Sequence, residues 1–414
     1  MSAPEASVQT LDAGITNMPS TEHNRSTVNR STVNRLIALA IRGLEPMFDP
    51  QRQSFCYKLK KNGPSMVREG LSRRYTMMTV LGLHRLEQAG AASPFEKPRI
   101  LDALLSDLAW VDNVGDLGVL LWLCGVVCPE RLPELEPKLH LPTALTRFRD
   151  ARQALTMELS WFLTGLSYWA QADSEMSSKL EPLAFETYDI LTKNQGVRGF
   201  FGHLSTTRSL AGMARGRIGS FADQVYPTYA MGQFSKAYQH EEAAKRAVKC
   251  ALGICEEQGP RGQWWWHYDS VGGRVADGYP VFSVHQHAMA PMTLFELGET
   301  VNRNFDEWIY KGLQWINWNN ELNYEMESPS DGVIWRCIFR SRRSLGRYLK
   351  ASFGRYSDTV EHQQHDSLKV LYECRPYELG WLLYAFANRV DRDSVMSSVL
   401  DPVSQNQLLG RTRQ

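Results

Sequence analysis

Three carboxylates stand at the heads of apolar stretches: Glu158 before LSWFLTGL, Asp223 before QVYPTYAMG and Glu378 before LGWLLYAF. Acid/base cleavage of a sugar linkage uses two carboxyl groups across the ring, one to give a proton and one to steer water or the sugar carbon. His267 and His285 add groups that move protons near neutral pH. These five are the expected catalytic set.

His267 and His285 belong to one stretch, Gly262–Glu296, reading GQWWWHYDSVGGRVADGYPVFSVHQHAMAPMTLFE. Aromatic faces beside convergent polar groups suit a pit for a ring-shaped ligand. Trp265, Tyr268, Asp269, Gln286 and His287 are the expected binding residues there, with Trp265 as the stacking platform. In an extended segment its ring faces away from Trp264 and Trp266. Tyr226, one turn beyond Asp223, joins the binding set, and Arg336 serves as a clamp on substrate charge. His285 and His287 are two apart, so on a helix they diverge, unlike a helical i,i+4 metal pair. No metal site and no cofactor are expected. Each acidic leader also reads as an ordinary helix cap, and two of the three tryptophans read equally well as core. Alanine at Asp223 or His285 is expected to abolish turnover with the thermal midpoint nearly unchanged.

These residues need a frame that brings distant positions to one place. Six apolar, small-residue-rich helical segments recur, from Arg73, Asp116, Glu158, Asp223, His285 and Tyr377. Amphipathic stretches from Pro98, Leu180, His240 and Phe305 lie between them with charged faces, as outer helices have. Arg74, Asp116 and Glu158 recur at an even spacing of 42 residues, close to one helical hairpin each. The pattern predicts an all-α (α/α)6 toroid of about twelve helices with long loops at one rim. Period-two strand signals are few and short. Gly82, Gly118, Gly165, Gly232, Ala288, Ala290 and Gly380 are expected to let inner helices approach closely. In such a ring the leaders Arg73, Arg74, Asp116, Glu158, Asp223 and Glu378 meet at one mouth, where free backbone N–H groups favour polar or anionic ligands.

Residues 1–30 read as a disordered arm, 31–390 as the toroid and 391–414 as a loose tail. Ser31 and Thr32 are the expected caps of the first helix. The 414 residues are 43% hydrophobic and carry a net charge of +1, which gives no electrostatic case for nucleic acid. Seven scattered cysteines include Cys124 and Cys128, i,i+4 in an apolar run and therefore core. There is no C-x-x-C pair, secretory start or membrane-spanning run, so a cytoplasmic location is expected.

This pattern of hairpins with acidic and aromatic loops resembles the (α/α)6-toroid carbohydrate-active proteins: six-hairpin glycosidases, uronate-acting hydrolases and the N-acylglucosamine epimerase group. The resemblance is architectural and spans roughly residues 35–390. It implies a glycan-acting hydrolase, lyase or epimerase, with an anionic or lipid-linked glycan among the substrates it allows. Two other readings stand beside it. Asn319, Asn323 and Glu327 echo the metal triad of isoprenoid cyclases, with Asn in place of Ser. The basic, amphipathic run 336–355 suits a non-catalytic glycan-assembly partner with peripheral membrane contact.

Overall fold

A computed structural model of the chain describes residues 21–146, 155–204, 216–341 and 367–389. Two layers of helix alternate along the chain. The outer layer is α1 (Thr21–Leu44), α3 (Lys97–Leu105), α5 (Leu132–Leu139), α7 (Ser174–Thr192), α9 (Glu241–Glu256) and α11 (Asp306–Ile316). The inner layer is α2 (Arg73–Gln88), α4 (Val114–Val127), α6 (Thr156–Ala172), α8 (Ala222–Tyr238), α10 (Ala290–Val301) and α12 (Pro376–Phe386). Each inner helix packs on the next, and α12 returns to α2, so the ring closes. Outer α1 covers α12, α5 covers α4, α7 covers α6, α9 covers α8 and α11 covers α10. The toroid read from the sequence is thus the fold.

The two layers differ because their burial differs. Inner α4, VGDLGVLLWLCGVV, is enclosed nearly all round and is apolar nearly all round. Outer α9, EEAAKRAVKCALGICE, buries one stripe and gives its charges to water. Cys124 and Cys128 are buried free thiols, as their spacing suggests. Close approach within the ring rests on glycine. A Cβ built on Gly82 would lie 2.0 Å from the Gly380 carbonyl oxygen, and one on Gly118 only 2.3 Å from the Phe162 nitrogen. Gly232 differs from the expectation, because its nearest neighbour would be the Leu297 side chain at an ordinary 3.8 Å.

α1 begins at Thr21, a full ten residues before its expected caps. TEHNRSTVNR contains neither Gly nor Pro to stop it. The expected tail, 391–414, lies outside the described residues.

Most strands are as short as expected, but β2 (Ser54–Asn62) and β3 (Ser65–Leu71) form a long antiparallel hairpin. Its two-residue turn places Gly63 at φ +59 before Pro64, which suits glycine at the first central position. Four strand segments feed straight into inner helices: β3 into α2, β4 (Ile218–Ser220) into α8, β7 (Val281–Phe282) toward α10 and β12 (Glu373–Cys374) into α12. Small sheets therefore gather at the N-terminal rim of the ring. Among the described residues no helix is long and apolar enough to cross a membrane.

Below the rim the axis is filled. Trp122 stacks on Trp381 with ring centroids 5.1 Å apart. The hydroxyls of Tyr168, Tyr229 and Tyr384 form a hydrogen-bonded triangle, at 2.6, 2.7 and 3.2 Å. Below them Arg85 pairs with Glu296 at 2.8 Å.

Candidate active site

Where the inner helices begin, a cavity of about 320 Å³ opens. α2 contributes Arg74 and Tyr75, α6 contributes Met157 and Trp161, α8 contributes Tyr226, and α12 contributes Tyr377. Rim strands, turns and loops add His203, Ser220, Trp266, His267, Phe282, His285, Arg336 and Arg375. Tyr226 is the floor, and its hydroxyl accepts a hydrogen bond from Trp381 Nε1 at 3.0 Å.

One side of the cavity is built on Arg74. Its Nε donates to Asp116 at 2.5 Å, its Nη2 lies 3.9 Å from Glu158, and its guanidinium covers the Trp161 ring at 5.2 Å. Glu158 is largely buried beside Arg74, behind the residues that line the cavity. Burial pushes the Glu158 carboxyl above the ordinary range; Arg74 opposes this and Asp116 reinforces it. A carboxyl in that position keeps its proton longer and has it available to give.

Asp223 is fully buried at the start of α8. Its Oδ2 accepts from Ser220 N and Ser220 Oγ, both at 2.8 Å, and from His203 Nδ1 at 2.9 Å. Its Oδ1 has no partner among the described residues. With Nδ1–H given to the carboxylate, the His203 ring has Nε2 left as a proton acceptor. The cap and the functional reading of Asp223 coincide: it closes the helix end and orients an imidazole that lines the cavity.

Two further arginines line the cavity, Arg336 and Arg375, and both are ion-paired; Arg375 meets Glu373 at 3.3 Å. Arg336 pairs with Glu378 and, at 3.1 Å, with Glu373, and it covers Phe282 at 5.0 Å. Arg375 donates to the Tyr75 hydroxyl at 2.9 Å and lies over Tyr57 at 4.6 Å. Glu378 does not line the cavity. It is buried, accepts from the Arg375 backbone N–H at 3.1 Å and anchors Arg336.

His285 lines the cavity between Phe221 and Trp266, with centroids 4.5 and 5.9 Å away. Burial pushes it down to about 3, so the ring is neutral at physiological pH and exchanges protons only as a neutral imidazole. It opens a π-turn, His285–Met289. Pro291 has no N–H to give to His287, and the turn before it widens. His287 points elsewhere, as the two-residue spacing predicts, and burial pushes it too down to about 3.

Several expected binding residues have joinery duties away from the cavity. Trp265 donates Nε1 to the Glu257 carbonyl at 2.9 Å and packs on Tyr279; the tryptophan on the cavity is Trp266. Tyr268 is buried between Phe200 and Phe221. Asp269 accepts from Arg217 at 2.6 Å. Gln286 clips Trp264, accepting from its N–H at 3.1 Å. Sequence reasoning missed His203 and Arg375: the first is a lone histidine in FGHLS, the second is masked by its neighbour Glu378.

The isoprenoid echo has no structural counterpart. Asn319 and Asn323 sit in an irregular loop and Glu327 in a short strand, β8 (Glu327–Ser328), so no helix face presents them together. Glu327 pairs instead with Arg35 at 3.0 Å. The basic run 336–355 begins as a strand, β10 (Cys337–Arg340), not as a helix. Arg336 faces the cavity and Arg340 covers Tyr279 at 4.6 Å. The rest of that run, from Arg342, lies outside the described residues.

No protein-family model matches this chain, and no curated protein sequence matches it. Solved structures do. A possible member of the GH105 family from Salmonella enterica serovar Paratyphi A is 12% identical, with a TM-score of 0.52 over 87% of this chain and 93% of that one. An unsaturated glucuronyl hydrolase specific for heparin is 14% identical, with a TM-score of 0.51 over 90% and 97%. An unsaturated glucuronyl hydrolase of Bacillus sp. GL1, responsible for glycosaminoglycan degradation, is 13% identical, with a TM-score of 0.51 over 87% and 96%. Likeness at such identities establishes shared architecture, the (α/α)6 toroid.

Proposed function

We propose that this protein is a glycan-acting hydrolase that takes an acidic sugar, a uronate-bearing unit, into the rim cavity. The observation that carries the reading is one cavity lined by two arginines, Arg336 and Arg375, and by a carboxylate-oriented imidazole, His203, with Glu158, a carboxyl held above its ordinary range, beside the lining residue Arg74. Trp161, Trp266, Phe282 and Tyr377 supply aromatic faces around them, as sugar-binding pits do. The unsaturated glucuronyl hydrolases that share the architecture act on substrates of this class, by their names.

In this reading Arg336 and Arg375 pair with the sugar's carboxylate. Glu158 gives its proton to the oxygen of the departing group. His203, held by Asp223, takes a proton from the attacking water. Glu378 holds Arg336 in place. Of the sequence-based catalytic set this reading keeps Asp223 and Glu158 in the roles above, and His267 and His285 as cavity-lining imidazoles, His285 neutral.

The test is incubation of the protein with unsaturated glucuronyl disaccharides and with saturated oligogalacturonides, following loss of the ring's ultraviolet absorbance and release of reducing ends. Hydrolysis of a uronide is expected, with Glu158→Gln slower by roughly 10²- to 10⁴-fold. No uronide cleavage, or full activity in Glu158→Gln, overturns the proposal.

A further inference from the structure

A second depression adjoins the cavity and shares two wall residues with it, Arg74 and Tyr75. It is the larger of the two, about 750 Å³, and lies between the β2–β3 hairpin and the segment joining α3 to α4. Its lining brings together Arg52, Arg73 and Arg74 with the rings of Tyr57 and Trp110. The one carboxylate there among the described residues, Asp116, is already bonded to Arg74 at 2.5 Å. Arg52 and Arg73 are exposed, and among the described residues neither makes an ion pair. Arg73 rests over Trp110, 5.7 Å from the ring centroid.

The two depressions are joined by aromatic rings. Tyr57, 40% exposed in the groove, stacks on Tyr75 at 5.5 Å, and Tyr75 meets Tyr377 of the cavity at 4.5 Å. A chain of sugars leaving the cavity along this path meets ring faces first and then two guanidiniums that have no acidic partner among the described residues. Such guanidiniums favour groups that accept paired hydrogen bonds, namely carboxylates and sulfates.

We propose that this groove is a second carbohydrate subsite, which holds the rest of an acidic oligosaccharide whose end occupies the cavity. It rests on the uronate reading of the cavity and adds to it the substrate's length and its charge beyond the terminal sugar. A neutral chain gains only the ring contacts. A small anion alone leaves Tyr57 and Trp110 unused.

The experiment is calorimetric titration of the full chain carrying Glu158→Gln, using galacturonic acid, tetragalacturonate and neutral maltotetraose. Tetragalacturonate is expected to bind at least about tenfold more tightly than galacturonic acid, with an increment that added salt weakens. Adding Arg52→Ala and Arg73→Ala should remove that increment and leave galacturonic acid binding and the thermal midpoint unchanged, since both side chains are exposed. If the increment survives the double substitution, or tetragalacturonate does not bind, the groove is not the subsite. If maltotetraose gains as much as tetragalacturonate, selection for charge is overturned. An arginine-dependent gain for tetragalacturonate without binding of galacturonic acid upholds the groove and removes the cavity reading instead.

Discussion

His203 Nδ1 stands 2.9 Å from Asp223 Oδ2, an imidazole tied to a carboxylate that water does not reach. The residues are 20 positions apart, one in a rim loop and the other in the first turn of α8. Ser220 binds the same carboxylate oxygen twice. The carboxylate therefore fixes both where the ring sits and which of its nitrogens is bare.

Asp223→Asn keeps the shape and removes the charge that orients His203. It should lower kcat/KM on a cleaved uronide by roughly 10²- to 10⁴-fold, and His203→Ala by a similar factor. The double variant should be little worse than either, because the two act as one unit. Asp223→Ala should also lose about 1–3 kcal/mol of stability, since it strips bonds from a buried helix end. The expectation from sequence that alanine spares the thermal midpoint does not fit this burial. Steady-state kinetics beside denaturant unfolding check both parts.

The pH profile should carry an alkaline limb from Glu158. Burial raises its folded-state pKa, so the proton it donates is lost only above the ordinary carboxylate range. The sign for stability is the same. The fold retains a proton that the unfolded chain has released, so the Glu158 contribution declines as pH rises from the unfolded value through the folded one. Kinetics of Glu158→Gln from acid to alkaline pH should lack that limb.

His285 and His287 should act at the other end of the scale. Both are pushed by burial from an ordinary 6.5 to about 3. Below pH 6.5 the unfolded chain binds protons that the fold refuses, so stability falls as pH drops toward the folded value. The loss between pH 7 and 5 should be on the order of a few kcal/mol. His287→Leu, away from the cavity, should flatten that slope in urea titrations at the two pH values. An unchanged slope would show that His287 is protonated in the fold.

Arg336 and Glu378 should be unequal under substitution. Arg336→Ala leaves a buried carboxylate without its cation, a loss of about 3–5 kcal/mol. Adding Glu378→Gln should recover part of that stability and none of the activity, because the cavity still lacks its clamp. Thermal midpoints of the two variants beside their turnover numbers decide this.

The ring's tightest seam should show in two alanine substitutions. Gly82→Ala drives a methyl into the Gly380 carbonyl and should cost about 1–3 kcal/mol or more. Gly232→Ala meets only ordinary contacts and should gain about 0.5–1 kcal/mol from helix propensity. Chemical denaturation of the two proteins is the measurement.

The ring was legible because it is a repeated pattern. Apolar helices alternating with amphipathic ones leave few other ways to bury so much surface, and Arg74, Asp116 and Glu158 do converge. The loops carry no such period. Consecutive Trp266 and His267 both reach the cavity, which regular strand alternation forbids; Trp266 lies before β5 (His267–Asp269), and the pairing of β5 with β6 (Arg274–Asp277) shifts register just after His267. The expected platform, Trp265, was read from that alternation and so fell on the wrong side. Asn319, Asn323 and Glu327 failed for a related reason, since a spacing of four means one face only on a helix. His203 has no local signal at all, because its partner Asp223 is near only once the rim is folded.

The stacked Trp122 and Trp381 and the triangle of Tyr168, Tyr229 and Tyr384 plug the hole of the doughnut. What remains is a cup rather than a tunnel. No polymer can be threaded through it from top to bottom. A strand can only dip its tip into the bowl, and every fragment must back out past the same lip before the next tip can arrive.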